Sequence, residues 1–270
     1  MASRIERNLG DWESQAGLGS FPGLIVFQAQ GTDTAVGTDL SELWDKDIEH
    51  TWLTTGTTIY ATSESAGDVG KVMQVIGLDA NWDLQVAHVT LNGTTPVILG
   101  TALNWTVINV AYQVSADPPC AGDVWFAVDG AAYTGGTPNS LADVQAFVDF
   151  ESVFAPHVTE KLWGQVPRDY KIIIYDYAAE LNEAGGQTRS CEVSLEVAEM
   201  ALGATVDNPS WAPWRRLHDI TLQTASQVHE HHSFKIPHVF GELARVRMTA
   251  VASASSHVGG HITAIMVPAS

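Results

Sequence analysis

Cys191-Glu-Val-Ser-Leu-Glu-Val-Ala-Glu199 alternates without a break. In an extended chain Cys191, Val193, Leu195 and Val197 fall on one face, and Glu192, Ser194, Glu196 and Ala198 on the other. Strand side chains repeat with a period of two, so the pattern predicts a half-buried antiparallel strand. Moving outward, the same kind of short segment recurs at Leu24–Phe27, Thr58–Ala61, Lys71–Ile76, Leu84–Leu91, Trp105–Val114, Val124–Val128 and Ile172–Tyr175. Arg245–Val251 and His261–Val267 complete the set and are expected to close the sheet. The spacing of about ten residues is the rhythm of a sandwich or barrel rather than of βαβ units.

Turn chemistry separates the segments. Asn92-Gly93, Asp117-Pro-Pro119, Asp129-Gly130 and Gly135-Gly-Thr-Pro138 each supply the residues that tight turns require. One stretch argues for helix: Ser140-Leu-Ala-Asp143 resembles a capping box, with Val144, Phe147 and Val148 at helical spacing. Phe147–Phe154 is β-rich and argues for strand, so both readings stand. The fold expected is all-β, an antiparallel, jelly-roll-like β-sandwich in two parts. Residues 1–42 read as an extended N-terminal arm, 43–155 as one sandwich and 156–270 as a second, with a hinge at Ala155-Pro-His157. No internal repeat marks a solenoid.

Charge narrows the function. Thirteen basic residues against 31 acidic ones give a net charge of −18. Such a surface repels phosphate backbones, which excludes nucleic acid as a partner. No stretch approaches the roughly 18 apolar residues of a membrane span, so no membrane partner is expected. Met1–Asn8 has no apolar run behind it and predicts no secretory leader. Cys120 and Cys191 are too few for a disulfide framework; free buried thiols in a reducing cytoplasm are expected, a single bridge being the alternative.

Four places could carry chemistry. In Ile76–Val97, Asp79 and Asp83 flank Trp82 beside an Asn-Gly pair. As Asx-type turn formers they need no catalytic role, and nothing in a polar turn promises the burial that separates carboxylate pKa values. Leu84 and Val86 fall out of phase with Val89 and Leu91, which predicts a bulge near Ala87 or His88, and Asn92-Gly93 predicts a tight hairpin turn. In His229-Glu-His-His232, His229 and His231 share a strand face at a spacing that can ligate zinc, with His218 and His238 nearby. No HExxH or CxxC frame accompanies them, and an exposed polar strand is the expected reading. Trp211-Ala-Pro-Trp214-Arg-Arg216 could stack on a sugar ring, or could cover the end of the sandwich with its arginines paired to local carboxylates. The acidic run Asp33–Asp47, with Asp39, Glu42, Asp45 and Asp47, lacks the EF-hand order and reads as a solvated face. No catalytic, cofactor-binding or metal residue is therefore assigned.

Gly77-Leu-Asp-Ala-Asn-Trp-Asp83, followed by Val89-Thr-Leu-Asn-Gly-Thr-Thr-Pro-Val97, resembles the signature of a family of tailed-bacteriophage virion structural proteins. The likeness extends to Leu43–Asp45, Ala61–Ala66, Ala121–Val124, Val166-Pro167, Cys191–Val197, Ala250–Ser256 and Met266-Val267, and so spans residues 43 to 267. It implies β-rich, non-enzymatic proteins of the head or its attachments, without cofactors. The chain departs from that pattern in Val228–His238 and in the long Ala131–Lys161 connection. The expected role is a capsid decoration (cement) or auxiliary head protein on the outer particle surface, assembled in the host cytoplasm. Its expected partners are the major capsid protein or other virion proteins and further copies of itself. A neck, tail or head-fibre component touching a host-surface glycan is the first alternative. A metal-dependent enzyme built on His229–His232 is the second.

Overall fold

The computed structural model describes residues 25–44, 50–100, 104–114, 118–150, 159, 161, 163–182, 188–224 and 228–269. The chain is all-β: two antiparallel sandwiches, with helix confined to single 3-10 turns among the described residues. Strands are numbered along the chain. In the first sandwich, β3 (Ile59–Ser63), β6 (Val97–Ile98), β8 (Val124–Val128) and β11 (Val144–Val148) form a sheet in the order β11-β8-β3-β6. It faces β5-β4-β7, built from β4 (Val72–Asp79), β5 (Leu84–Thr90) and β7 (Trp105–Gln113). Ile59, Met73, Val75, Val89, Trp105 and Phe126 are buried together between the two layers. A small hairpin, β9 (Tyr133–Thr134) with β10 (Thr137–Pro138), stands beside this sandwich.

The second sandwich draws on both ends of the chain. Its first sheet has the order β1-β18-β13-β16, from β1 (Ile25–Val36), β13 (Tyr170–Asn182), β16 (His229–Phe240) and β18 (Ser256–Pro268). The second sheet has the order β12-β17-β14-β15, from β12 (Trp163–Gln165), β14 (Ser190–Ala198), β15 (Arg215–Gln223) and β17 (Arg245–Ala252). The two-residue β2 (Ser41–Glu42) joins the same edge of β17 as β12. Phe27, Ile172, Ile174, Tyr177, Leu195, Met248 and Ile262 meet between these layers.

Several expectations are corrected. The N-terminal segment is no arm from Ile25 onward: β1 pairs with β18 from Ile25↔Met266 to Val36↔Ser256, and Phe27, Ala29 and Val36 are buried in the second core. Residues 1–24 and the hinge at Ala155-Pro156-His157 lie outside the described residues. Leu141–Asp143 is one 3-10 turn without a side-chain cap from Ser140, and Val144–Val148 is strand, fully buried. Burial of both faces, Gln145 included, explains why helical spacing and strand content pointed different ways. β17 and β18 close opposite sheets rather than one.

The bulge expected near Ala87 does not form. β4 and β5 pair without interruption from Val72↔Thr90 to Leu78↔Leu84, with Ala87, Val89 and Leu91 turned to the core and Val86 outward. The irregularities lie instead between β4 and β7, at Ile76/Gly77 and Leu78/Asp79. They bring the Val107 backbone so close that a Cβ on Gly77 would lie 2.3 Å from the Val107 carbonyl oxygen. Asn92-Gly93 does form a tight turn, with Gly93 at φ 58°, the Thr95 N–H donating to the Asn92 carbonyl at 3.1 Å and these two residues paired antiparallel, but it leads from β5 to β6 in the other layer rather than joining neighbouring strands of one sheet. A second irregularity separates β13 from β16: Ile174 pairs with His238 and Asp176 with Ser233, so four residues of β16, Phe234–Pro237, oppose Tyr175 alone. Both cysteines are free and buried. Among the described residues no helix is long and apolar enough to cross a membrane.

The Gly77 contact gives a direct test. Gly77→Ala must displace backbone, and is expected to destabilise the chain by about 1–3 kcal/mol in urea unfolding. Gly241→Ala, where an added Cβ meets nothing within 4 Å, is expected to stay within about 0.5 kcal/mol of the parent.

Candidate functional site

The turn at the heart of the sequence motif is spent on structure. Asp79 Oδ1 accepts from the backbone N–H groups of Asn81 (2.8 Å) and Asp83 (3.1 Å), and Oδ2 accepts from Gln85 Nε2 (2.9 Å). These bonds hold the β4–β5 turn and allow Trp82 a left-handed backbone, φ 66°. The indole is thereby buried and meets Trp211 edge to face at 5.6 Å. Trp211 Nε1 donates to the Leu243 carbonyl at 2.9 Å, and the Arg168 N–H donates to the Trp82 carbonyl at 2.8 Å. Leu78, Trp82 and Val107 of the first sandwich thus share a small core with Leu243 and Trp211 of the second.

Beside it runs a buried polar seam. One face of β17 carries Val246, Met248 and Ala250 into the second core; the other carries Arg245, Arg247 and Thr249, which are buried as well. Arg247 donates from Nε to Glu196 Oε2 and from Nη1 to Glu42 Oε1, each at 2.8 Å. Glu42 Oε2 also accepts the His50 N–H at 2.6 Å. Burial opposes the Arg247 charge, but the two carboxylates more than offset it and hold its pKa above the ordinary value. Arg245 lies over Trp211 (3.3 Å) and Trp52 (4.5 Å), and Arg247 over Trp214 (4.2 Å). Such stacking on ring faces suits a guanidinium that has left water.

The first sandwich closes on this seam. Asn109 of β7 and Gln165 of β12 exchange two hydrogen bonds, Asn109 Nδ2 to the Gln165 carbonyl (2.9 Å) and the Gln165 N–H to Asn109 Oδ1 (3.0 Å). An amide side chain here serves as the missing strand between the two bodies. Trp44, Trp125, Phe147 and Trp163 pack together at the same junction. His50 stacks on Trp163 at 4.4 Å and meets Trp52 edge-on. Neither His50 ring nitrogen has a hydrogen-bond partner among the described residues. Burial, then Lys161, then Arg245 hold its pKa well below the usual imidazole value. Lys161 is itself buried, with Nζ donating to the Ile108 carbonyl and lying 5.2 Å from the centre of the Trp163 ring. Burial pulls its pKa from 10.5 down to about 7, opposed by Glu42.

The sequence candidates are redistributed accordingly. Trp211 and Trp214 line the seam, half-buried, each with one ring face covered by an arginine. Arg215 and Arg216 pair with Glu199 and Glu192 at 3.0 and 2.6 Å. The acidic run is no solvated face where it is described: Glu42 is in the seam, and buried Asp33 accepts from the Ala35 N–H and Ser41 Oγ. Only Asp39 is exposed; Asp45 and Asp47 lie outside the described residues. β14 keeps its predicted alternation, but Ser194 and Glu196 are buried, so the strand is covered on both sides.

The histidine segment is a strand, and it divides its histidines between two faces. His232, Phe234, His238 and Phe240 turn inward to Tyr177 and His218, with the His218 and His232 rings stacked at 3.9 Å and Tyr177 Oη hydrogen-bonded to His218 Nδ1. Burial, then His232, lower the His218 pKa. His229 and His231 turn outward and are exposed; His231 Nε2 contacts Asp176 Oδ2, and His261 of β18 approaches Asp176 from the other side. Neither Asp176 nor His261 stands near His231 in the sequence, and no local pattern links the three. The two thiols, pushed up to about 12 by burial, are protonated at neutral pH and poor nucleophiles.

No protein-family model and no curated protein matches the chain. Among solved structures, one of infectious bursal disease virus Gx strain aligns over 91% of this chain and 71% of its own, at 8% identity and a TM-score of 0.22. The Gt strain aligns over 91% and 72%, at 8% identity and a TM-score of 0.18. The VP2 subviral particle of the same virus aligns over 91% and 72%, at 9% identity and a TM-score of 0.13. Scores this low fall short of a shared fold.

The seam yields two predictions. Arg247→Met strands two buried carboxylates and is expected to lose about 3–5 kcal/mol in urea unfolding, whereas replacing Glu42, Glu196 and Arg247 together by apolar residues recovers most of it. The second concerns pH. Below 6.5 the unfolded chain protonates His50 while the folded chain resists, so stability falls with acid. Between about 7 and 10.5 Lys161 is neutral when folded and charged when unfolded, so stability rises with pH. The urea midpoint is therefore expected to climb from about pH 5.5 to about pH 8.5. His50→Phe should flatten the acid limb, and Lys161→Met the limb above neutrality.

Proposed function

We propose that this chain is a non-enzymatic structural protein of a bacteriophage particle, set on the outer face of the head as a decoration or auxiliary subunit. The observation that carries this reading is the fate of the signature residues: Asp79, Trp82 and Asp83 form a hydrogen-bonded turn that seats an indole between the two sandwiches. The part of the chain that resembles virion proteins therefore builds rigidity rather than lining a cleft. A net charge of −18 adds to this. An acidic body is poorly suited to line a chamber packed with DNA, while outside it stays apart from its copies until a specific contact forms. On a symmetric shell many equivalent weak contacts sum to firm attachment.

Because β1, from Ile25, belongs to the second sandwich, the attachment role proposed for the N-terminal segment falls to residues 2–24. Deleting residues 2–20 is expected to abolish co-sedimentation with particles while leaving the urea midpoint unchanged; binding that persists would refute an attachment role for this segment. A deletion reaching residue 30 would be uninformative, because it removes Phe27 from the second core. Quantitative mass spectrometry of purified virions should find copies commensurate with the shell lattice. A single ring of about a dozen copies would instead place the protein at the neck or tail, and its absence from particles would end the proposal.

A further inference from the structure

The outer face of the β18-β13-β16 sheet gathers two histidines and a carboxylate from three neighbouring strands. His231 of β16 and His261 of β18 both pair with Ala178 of β13, so the three stand in one row across the sheet. Ala178 has no bulk to hold the two imidazoles apart. Asp176 lies two residues before Ala178 on β13 and therefore shares its face.

Asp176 is on that face because of a bulge. Ile172 and Ile174 point into the second core, and an unbroken strand would send residue 176 inward after them. The register shift between Ile174 and Asp176, present against both neighbouring strands, turns Tyr177 inward instead and Asp176 outward. Bulges that re-aim one side chain in this way recur beside functional sites.

The ligating atoms of Asp176, His231 and His261 lie within 4.8 Å of one another. His261 Nε2 is 3.7 Å from Asp176 Oδ1, while His231 Nε2 contacts Oδ2. Ser233 Oγ donates to Asp176 Oδ2 at 3.1 Å, the kind of outer contact that orients a ligating carboxylate. Asp176 is largely shielded, with 14% of its side chain exposed, whereas His231 and His261 are 49% and 46% exposed. The carboxylate is thus fixed, and the imidazoles need only small rotations to close on an ion.

We infer that Asp176, His231 and His261 form a binding site for one divalent transition-metal ion, zinc above all, on the outer face of the second sandwich. Two imidazoles and a carboxylate are the donor set that zinc accepts, with ligand bonds of about 2.0–2.2 Å. Hard cations that demand six or more oxygens are poorly served by it. The remaining coordination positions face solvent, where water or a side chain of a neighbouring subunit completes the shell. His229, on the same face of β16, is not among the three, which separates this site from a pair of ligands at spacing i, i+2 along one strand.

The test uses the full chain stripped with EDTA and titrated with zinc sulfate by calorimetry. One zinc ion per chain is expected, and zinc is expected to raise the melting temperature. His261→Ala and Asp176→Asn should each weaken binding at least ten-fold and remove the thermal shift, and Ser233→Ala should weaken it by about ten-fold. Calcium and magnesium titrations should show no comparable heat. Cobalt(II) should give visible absorption bands that His261→Ala abolishes. His218→Ala, on the opposite face, should leave zinc binding unchanged. Binding below about a tenth of an equivalent, or binding that survives His261→Ala and disappears in His218→Ala, would overturn the assignment.

Discussion

The Glu42–Arg247–Glu196 triad is the interaction on which the rest of the molecule depends. A sheet that must be covered on both faces ordinarily carries apolar side chains on both. β17 instead carries arginines on one side: Arg247 is matched by two carboxylates, while Arg245, its pKa lowered to about 9 by burial, donates to the Leu53 carbonyl and lies over Trp211 and Trp52. The carboxylates come from β2 and β14, far apart in the chain, and the aromatic lids from Trp52, Trp211 and Trp214. An apolar joint would tolerate sliding. A joint made of paired ions and stacked guanidinium groups is satisfied in one register only, at some sacrifice of stability.

Much of the architecture was legible in the sequence. Strict alternation located β14, short apolar segments at about ten-residue spacing located β4, β5, β7 and β8, and turn residues marked most of the breaks between them. The Asx turn at Asp79–Asp83 was legible too, because its hydrogen bonds are local. What escaped was everything decided by the second face of a strand. Glu196, Arg245 and Arg247 look like solvent-facing residues, and only the fold brings the partners that let them be buried. The same holds for Val144–Val148, where burial on both sides erased the alternation that would have separated strand from helix.

The candidate site was partly visible for the same reason. His229–His232 drew attention as a cluster, and strand geometry correctly divided it between two faces. Its partners could not be read from spacing: Asp176 is 55 positions from His231 by number alone, and its outward direction depends on a bulge that no sequence pattern announces. Of the two readings open for Trp211–Arg216, the structure has the cover: Trp211 packs in the core between the sandwiches and Arg215 and Arg216 pair with Glu199 and Glu192. What local sequence did not announce is that Arg245 and Arg247, from another strand, stack on Trp211 and Trp214.

The wide interruption in β16 has a consequence for life in a crowd of identical molecules. β16 is the last strand of its sheet, and an uninterrupted rim of free amides and carbonyls invites another chain to add itself. Phe234–Pro237 break the register opposite Tyr175, Pro237 offers no amide hydrogen, Lys235 adds a charge, and Ile236 projects with 83% of its surface exposed. A neighbouring strand laid along that rim would find it broken after a few residues. Runaway stacking into fibrils is discouraged at the border of the molecule where it would most readily begin.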